Sequence, residues 1–221
     1  ILKVSAEPLL DRIFRDMASY SGPVILSTTM IIILGNIDIS LVRHYCSPEE
    51  AGLYATAAIL GRIAVFLPAA LVTVLFPSAA KAQALGEKDG YILWTSLSLT
   101  AFLSFAVAIL FNLWPEYSIS LFLGDQYREA ASLLKIISIA MAILALTNVI
   151  ASYSLARSNY GFLFPLVTGV SLMIILIINY HDTATTIANI MLLSVGGIFI
   201  GTFAQLIFKI NCSSTITNPK T

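Results

Sequence analysis

Charge is what this sequence has least of. Lys, Arg, Asp and Glu make up 11% of its 221 residues, against roughly 25% in soluble domains, which excludes a soluble globule. Acids and bases cancel at twelve each, and no basic stretch stands out, so a nucleic-acid partner is excluded as well. Cysteine is almost missing: Cys46 and Cys212 fit neither a CxxC pair nor a zinc spacing. HExxH, GxSxG, a Walker loop and a paired-carboxylate motif are all absent. His44 and His181 fall in expected loops without acid or His partners at ligand spacing. No enzyme, metal site or cofactor is therefore expected. No repeat and no Pro- or Gly/Ser-rich linker divides the chain, which favours one bundle. The opening ILKVSAEP has no initiator Met and no signal-peptide pattern, and the expectation is a fragment of a longer polypeptide.

Apolar residues fill the space that charge leaves: 58% of the chain is hydrophobic and its mean hydropathy is +0.89. A membrane-spanning helix needs about 20 mainly apolar residues. Six segments qualify: 22–42, 51–78, 91–113, 130–155, 160–180 and 184–208. The expected fold is all-α, an integral membrane bundle of six transmembrane helices over 22–208, with Pro68 positioned to kink the second. Residues 1–21 place Leu10, Ile13, Phe14 and Met17 at helical spacing among charges, as in an amphipathic linker helix at the cytoplasmic surface. The 114–129 connection is the longest and most polar, and reads as interfacial. Residues 209–221 read as a polar, disordered cytoplasmic tail. With the N-terminus inside, eight basic residues fall on the inner face and three on the outer (Arg43, Arg128, Lys135). That bias places both termini in the cytoplasm and the protein in the cell inner (cytoplasmic) membrane. The two cysteines then lie on opposite sides, too far apart for a disulfide.

The candidate site residues are polar groups inside these apolar runs: Asn36, Asp38, Arg62 and Asn148. A charge at a bilayer centre costs at least about 2.5–3.5 kcal/mol, so it faces a protein interior or a watery cavity. Asn36 shares a helix face with Thr29, Ser40 and Arg43, whereas Asp38 lies about 200° around from it. Asp38 is about 8 Å below Arg43, and Arg62 about 16 Å below Ala51, which leaves an Asp38–Arg62 ion pair within reach. Two readings follow. One is a static pair that keeps two helices in register. The other is a cavity in which Arg62 meets an anionic substrate group and Asp38 tunes or gates it. Asn36 and Asn148 can bond to neighbouring helices or line a pathway. Gly197-x-x-x-Gly201 is a packing motif, and Lys135 lies where it can snorkel to the headgroups.

Three stretches carry a family resemblance. They are ILGNIDISLVRHYCSPEEAGLYATAAILGRIAVFLPAALVTVLFPSAAK, LFLGDQYREAASLLKIISIAMAILALTNVIASYSLARSN, and the final helix pair. Together they resemble the C-terminal half of the polysaccharide exporter, or O-antigen flippase, branch of the multidrug/oligosaccharidyl-lipid/polysaccharide exporter superfamily. The resemblance implies one half of a two-bundle transporter that flips an undecaprenyl-linked oligosaccharide or polysaccharide repeat unit by alternating access. Arg62 would offer its charge to the lipid-linked pyrophosphate or an acidic sugar, with Asp38 beside it. Implied partners are the lipid bilayer, the lipid-linked glycan, a second six-helix half upstream and glycan polymerase machinery. The alternatives are a cation-coupled multidrug exporter, with Asp38 binding the coupling ion, and a non-transporting scaffold of a glycan-assembly complex.

Overall fold

The computed structural model describes residues 21–69, Thr73, Pro77, Lys81 and residues 90–216. The expected linker helix, apart from Ser21, lies outside the described residues. Every regular element among the described residues is a helix. In chain order they are α1 (Ser21–Leu34), α2 (Ile37–Tyr45), α3 (Pro48–Gly61), α4 (63–69), α5 (Gly90–Leu113), α6 (Pro115–Leu123), α7 (Ala131–Ala156), α8 (Leu163–Asn179) and α9 (Ala184–Ile216). A 3-10 turn, Asp125–Ala130, leads into α7.

Among the described residues four helical runs (α3–α4, α5, the run into α7, and α9) are long and apolar enough to cross a membrane, or five when the bent pair α1–α2 counts as one span. The expected segment 51–78 lies only partly within the described residues, and not every helix has spanning length. At 17 residues, α8 is about 25 Å long, against a hydrocarbon core of roughly 30 Å. The last helix shows the opposite departure: it continues to Ile216, so Asn211–Ile216 is helical where a disordered tail was expected.

Local chemistry sets the element ends. Ser47 caps α3, its hydroxyl accepting from Glu50 N at 3.3 Å, with Pro48 in the first turn and Glu49 and Glu50 beside the positive helix end. Helix α6 begins at Pro115 and stops at Gly124, whose φ of +97° suits a residue without Cβ. The bundle is built around α7. Its spanning window is 72% buried, against 28% for those of α5 and α9, which identifies α7 as the central helix. Glycines permit the closest approaches. A Cβ at Gly61 would lie 2.8 Å from Ile137 Cγ2 of α7, and one at Gly169 of α8 would collide with Ile198 of α9. In the Gly197/Gly201 motif only Gly201 packs, with Pro165 2.8 Å from where its Cβ would be, while Gly197 faces open space.

Pro68 lies near the end of the described part of the second apolar run, so the expected kink there falls largely outside the described residues. The second apolar run is interrupted at Arg62, where Val65 N and Phe66 N both donate to Arg62 O. Pro68 has no N–H to give the carbonyl four residues earlier, which is Ala64 O. The buried Ser104 hydroxyl of α5 donates to that oxygen instead, at 2.8 Å. The proline thus leaves one carbonyl free and a neighbouring helix satisfies it.

Candidate functional site

Two interrupted helices face each other and create the site. The α1–α2 pair bends by 43° at Gly35–Asn36, and the α3–α4 run breaks at Arg62. Broken backbone at membrane depth is tolerated only where it is buried in protein or lines a cavity. Here the breaks serve each other: Arg62 Nη2 donates to Gly35 O at 3.1 Å. Beside that bond lies a cleft of about 180 Å3. Its polar lining is Arg62, Asn36 and Asn148, and its walls are Ile31, Ile32, Val65, Phe66, Met141 and Leu144. Three of the four candidate residues, drawn from three separate helical runs, therefore share one cleft.

Each polar group keeps capacity to spare. A guanidinium carries five N–H donors in a planar fork, and the bond to Gly35 O occupies one of its nitrogens. Asn36 is exposed, and its amide donates to Ile32 O at 2.8 Å within its own helix rather than to a neighbouring helix. Its side-chain oxygen remains as an acceptor. Half-buried Asn148 makes no hydrogen bond to a described residue. The cleft combines one cation and two carboxamides with apolar walls.

Asp38 does not belong to this cleft. It is fully buried on the other side of α2, where its Oδ2 accepts from Tyr54 Oη at 2.8 Å. The same hydroxyl lies 3.8 Å from Met191 Sδ of α9. No ion pair joins Asp38 to Arg62; the one recorded among the described residues is the exposed Arg128–Asp125 pair at 2.9 Å. The reason is the helix rotation between Asn36 and Asp38: Asn36 turns to the cleft, and Asp38, on a different face, turns into the α2–α3–α9 interior. Asp38 is thus a tie between α2 and α3, and its Oδ1 has no partner among the described residues.

Sequence reasoning missed two residues. Tyr54 is fully buried and holds Asp38; its position inside the first stretch that carries the family resemblance did not mark it as a partner of Asp38. Ser104 is one of several serines and threonines in apolar helices, and nothing local distinguishes it. Near the bundle end, Tyr45 stacks on His181 at 4.1 Å and His44 meets Tyr45 edge-on at 4.7 Å, which joins the α2–α3 turn to the α8–α9 turn. Cys46 lies in that first turn, and burial, then the neighbouring Glu50 carboxylate, push its thiol above the ordinary range.

The family model described as "Polysaccharide biosynthesis protein" matches residues 3–132. That is more than half of the chain, and it includes Asn36, Asp38, Tyr54 and Arg62 but not Asn148. An "Uncharacterized membrane protein" of Methanocaldococcus jannaschii is 26% identical over 215 residues, covering 94% of this chain and 50% of its own length. The chain thus spans about half the length of that relative. No solved structure matches.

Proposed function

Because the chain belongs to the polysaccharide biosynthesis protein family, we propose that it is part of a transporter that flips a lipid-linked oligosaccharide or polysaccharide repeat unit across the cytoplasmic membrane by alternating access. The observation that supports this most directly is the cleft that gathers Arg62, Asn36 and Asn148 at two helix breaks. A lipid-linked glycan presents phosphate, an apolar chain and sugar hydroxyls close together. A guanidinium pairs with phosphate oxygens through two parallel bonds. Carboxamides both donate to and accept from hydroxyls, and the apolar walls suit the start of the lipid chain. At about 180 Å3 the cleft holds a phosphate and little more, so the glycan extends beyond it.

The finer architecture belongs to the same proposal: six crossings, both termini cytoplasmic, and this bundle paired with a second one encoded upstream, with residues 1–21 as the linker. A cation-coupled drug exporter would need an acid in the cavity. Asp38 lies outside the Arg62 cleft, which favours the glycan reading.

The test is glycan export in cells that carry full-length Arg62→Ala or Arg62→Lys, with membrane levels of the protein measured alongside. A hydrogen bond to a charged group contributes about 1.5–3 kcal/mol, so Arg62→Ala should lower export about tenfold or more. Arg62→Lys should keep part of it, since lysine retains the charge but not the fork. Normal export by Arg62→Ala at normal protein level would remove the cleft as the substrate site and leave the scaffold role.

A further inference from the structure

A second feature lies away from the Arg62 cleft, where α5 ends and α6 turns off. Trp114, Tyr117, Leu121 and Phe122 stay exposed at 57%, 66%, 63% and 59%. With Leu110 they line an apolar groove of about 400 Å3. A second cleft, of about 490 Å3, shares Trp114 and Tyr117 with the groove and brings in Glu116, Ser120, Arg128 and Lys135. One side of the pair of aromatic residues is therefore apolar and the other charged. Amphipathic rings at such a boundary are characteristic of the headgroup level of a membrane, and α5 and the run into α7 both qualify as membrane spans.

We propose that these joined clefts bind one anionic phospholipid, with its phosphodiester at Lys135 and Arg128 and an acyl chain in the groove along Leu110, Leu121 and Phe122. With Asp125 counted beside Arg128, the charges around the cleft balance at two cations and two carboxylates, so attraction for a phosphodiester rests on Lys135, the cation that no carboxylate among the described residues pairs. Arg128 is held by Asp125, through Nε at 3.1 Å and Nη2 at 2.9 Å, so its place is fixed but its charge is largely offset. Lys135 is exposed and makes no ion pair with a described residue, so it carries the selective charge. Its backbone is anchored: Lys135 O accepts from Ser138 Oγ at 3.1 Å and from Asn112 Nδ2 at 3.4 Å. The stem can therefore reach along the apolar surface with only the ammonium in the headgroup layer. Glu116 lies in the first turn of α6, where the helix N-terminus offsets its charge. It opposes an anion less than an isolated carboxylate would.

Trp114 sits at the junction and reports on the site directly. The full-length protein, with Trp114 as its sole tryptophan and the others replaced by Phe, is reconstituted in phosphatidylcholine vesicles. Dibrominated phosphatidylglycerol or dibrominated phosphatidylcholine of the same chain length is then titrated in, and fluorescence quenching is read. One cation near an anionic surface gives a preference on the order of fivefold, so the anionic lipid should quench at a several-fold lower mole fraction. Lys135→Gln should remove most of that preference, whereas Lys209→Gln, a change remote from the groove, should not. Equal quenching by both lipids, an unchanged preference in Lys135→Gln, or no quenching by either lipid would each overturn the proposal. The last result would mean that protein covers the groove.

Discussion

Asp38 and Tyr54 meet where no water competes, so each depends on the other for its hydrogen bond. Tyr54→Phe removes the donor and leaves the Asp38 carboxyl without a partner. An unsatisfied buried polar group costs about 1–3 kcal/mol, and a charged one more. The expected outcome is a clear drop in the thermal stability of the detergent-solubilised protein, read by size-exclusion fluorescence after heating. Replacing both partners by apolar groups of similar shape is far milder, so Asp38→Leu with Tyr54→Phe should recover most of the loss. Export by the double variant should remain near wild type, because neither residue lines the Arg62 cleft. If that variant is stable and yet does not export, Asp38 has a transport role beyond the tie. The same two residues illustrate what sequence can disclose at this scale. A 3.6-residue period is enough to separate the faces of Asn36 and Asp38. It cannot name the partner of Asp38, because that depends on how α3 docks against α2. The Arg62–Gly35 bond was hidden for a related reason: Gly35 O is free only because the helix stops there, and GNIDIS is apolar enough to read as continuous helix.

Helices in this bundle are coupled through backbone carbonyls that proline or a break leaves open. Pro68, Ala64 and Ser104 form one such unit, and it can be tested as a cycle. Ser104→Ala leaves Ala64 O unsatisfied in the interior and should cost about 1–3 kcal/mol. Pro68→Ala restores an N–H at the position that bonds Ala64 O, so the pair of substitutions should cost much less than their separate effects combined. Additive losses in thermal stability would show that Ser104 acts by packing alone. Glycine packing gives a second contrast. Gly169→Ala would drive a methyl group into Ile198, while the added methyl group of Gly197→Ala would meet nothing within 4 Å. The first should be destabilising by about 1–3 kcal/mol, a usual range for overpacking, and the second near neutral. The Gly-x-x-x-Gly spacing alone would have weighted Gly197 and Gly201 equally. Which glycine packs is set by the rotation of α9 against α8, and spacing carries no information about that.

Crossing number is a property of the whole molecule, and helix length alone leaves it open because α8 has only 17 residues. The contacts at its two ends are more informative. On the α7–α8 side, Lys209 Nζ donates to Asn159 Oδ1 at 3.0 Å, which brings the late part of α9 to that turn. On the α8–α9 side, His181 stacks on Tyr45 at the α2–α3 turn. With its flanking residues, α8 therefore links the level of one turn to the level of the other, and a short helix can be matched by local thinning of the bilayer or by snorkelling flanks. Six crossings are part of the proposal above, and labelling separates them from five. Under six crossings with cytoplasmic termini, Glu49→Cys and Asp182→Cys in the full-length protein react with a membrane-impermeant maleimide in intact cells, and Lys209→Cys reacts only after permeabilisation. If α8 does not cross, Asp182→Cys becomes protected and Lys209→Cys becomes accessible from outside, while Glu49→Cys is unchanged. Native Cys46 and Cys212 are first replaced by Ser, so that only the introduced thiol reacts. The positive-inside count already favours the first pattern, but it weighs loops without knowing which helices are long enough to separate them. The Tyr45–His181 contact adds that two turns share one end of the bundle, and the Lys209–Asn159 contact adds that the late part of α9 runs beside the α7–α8 turn.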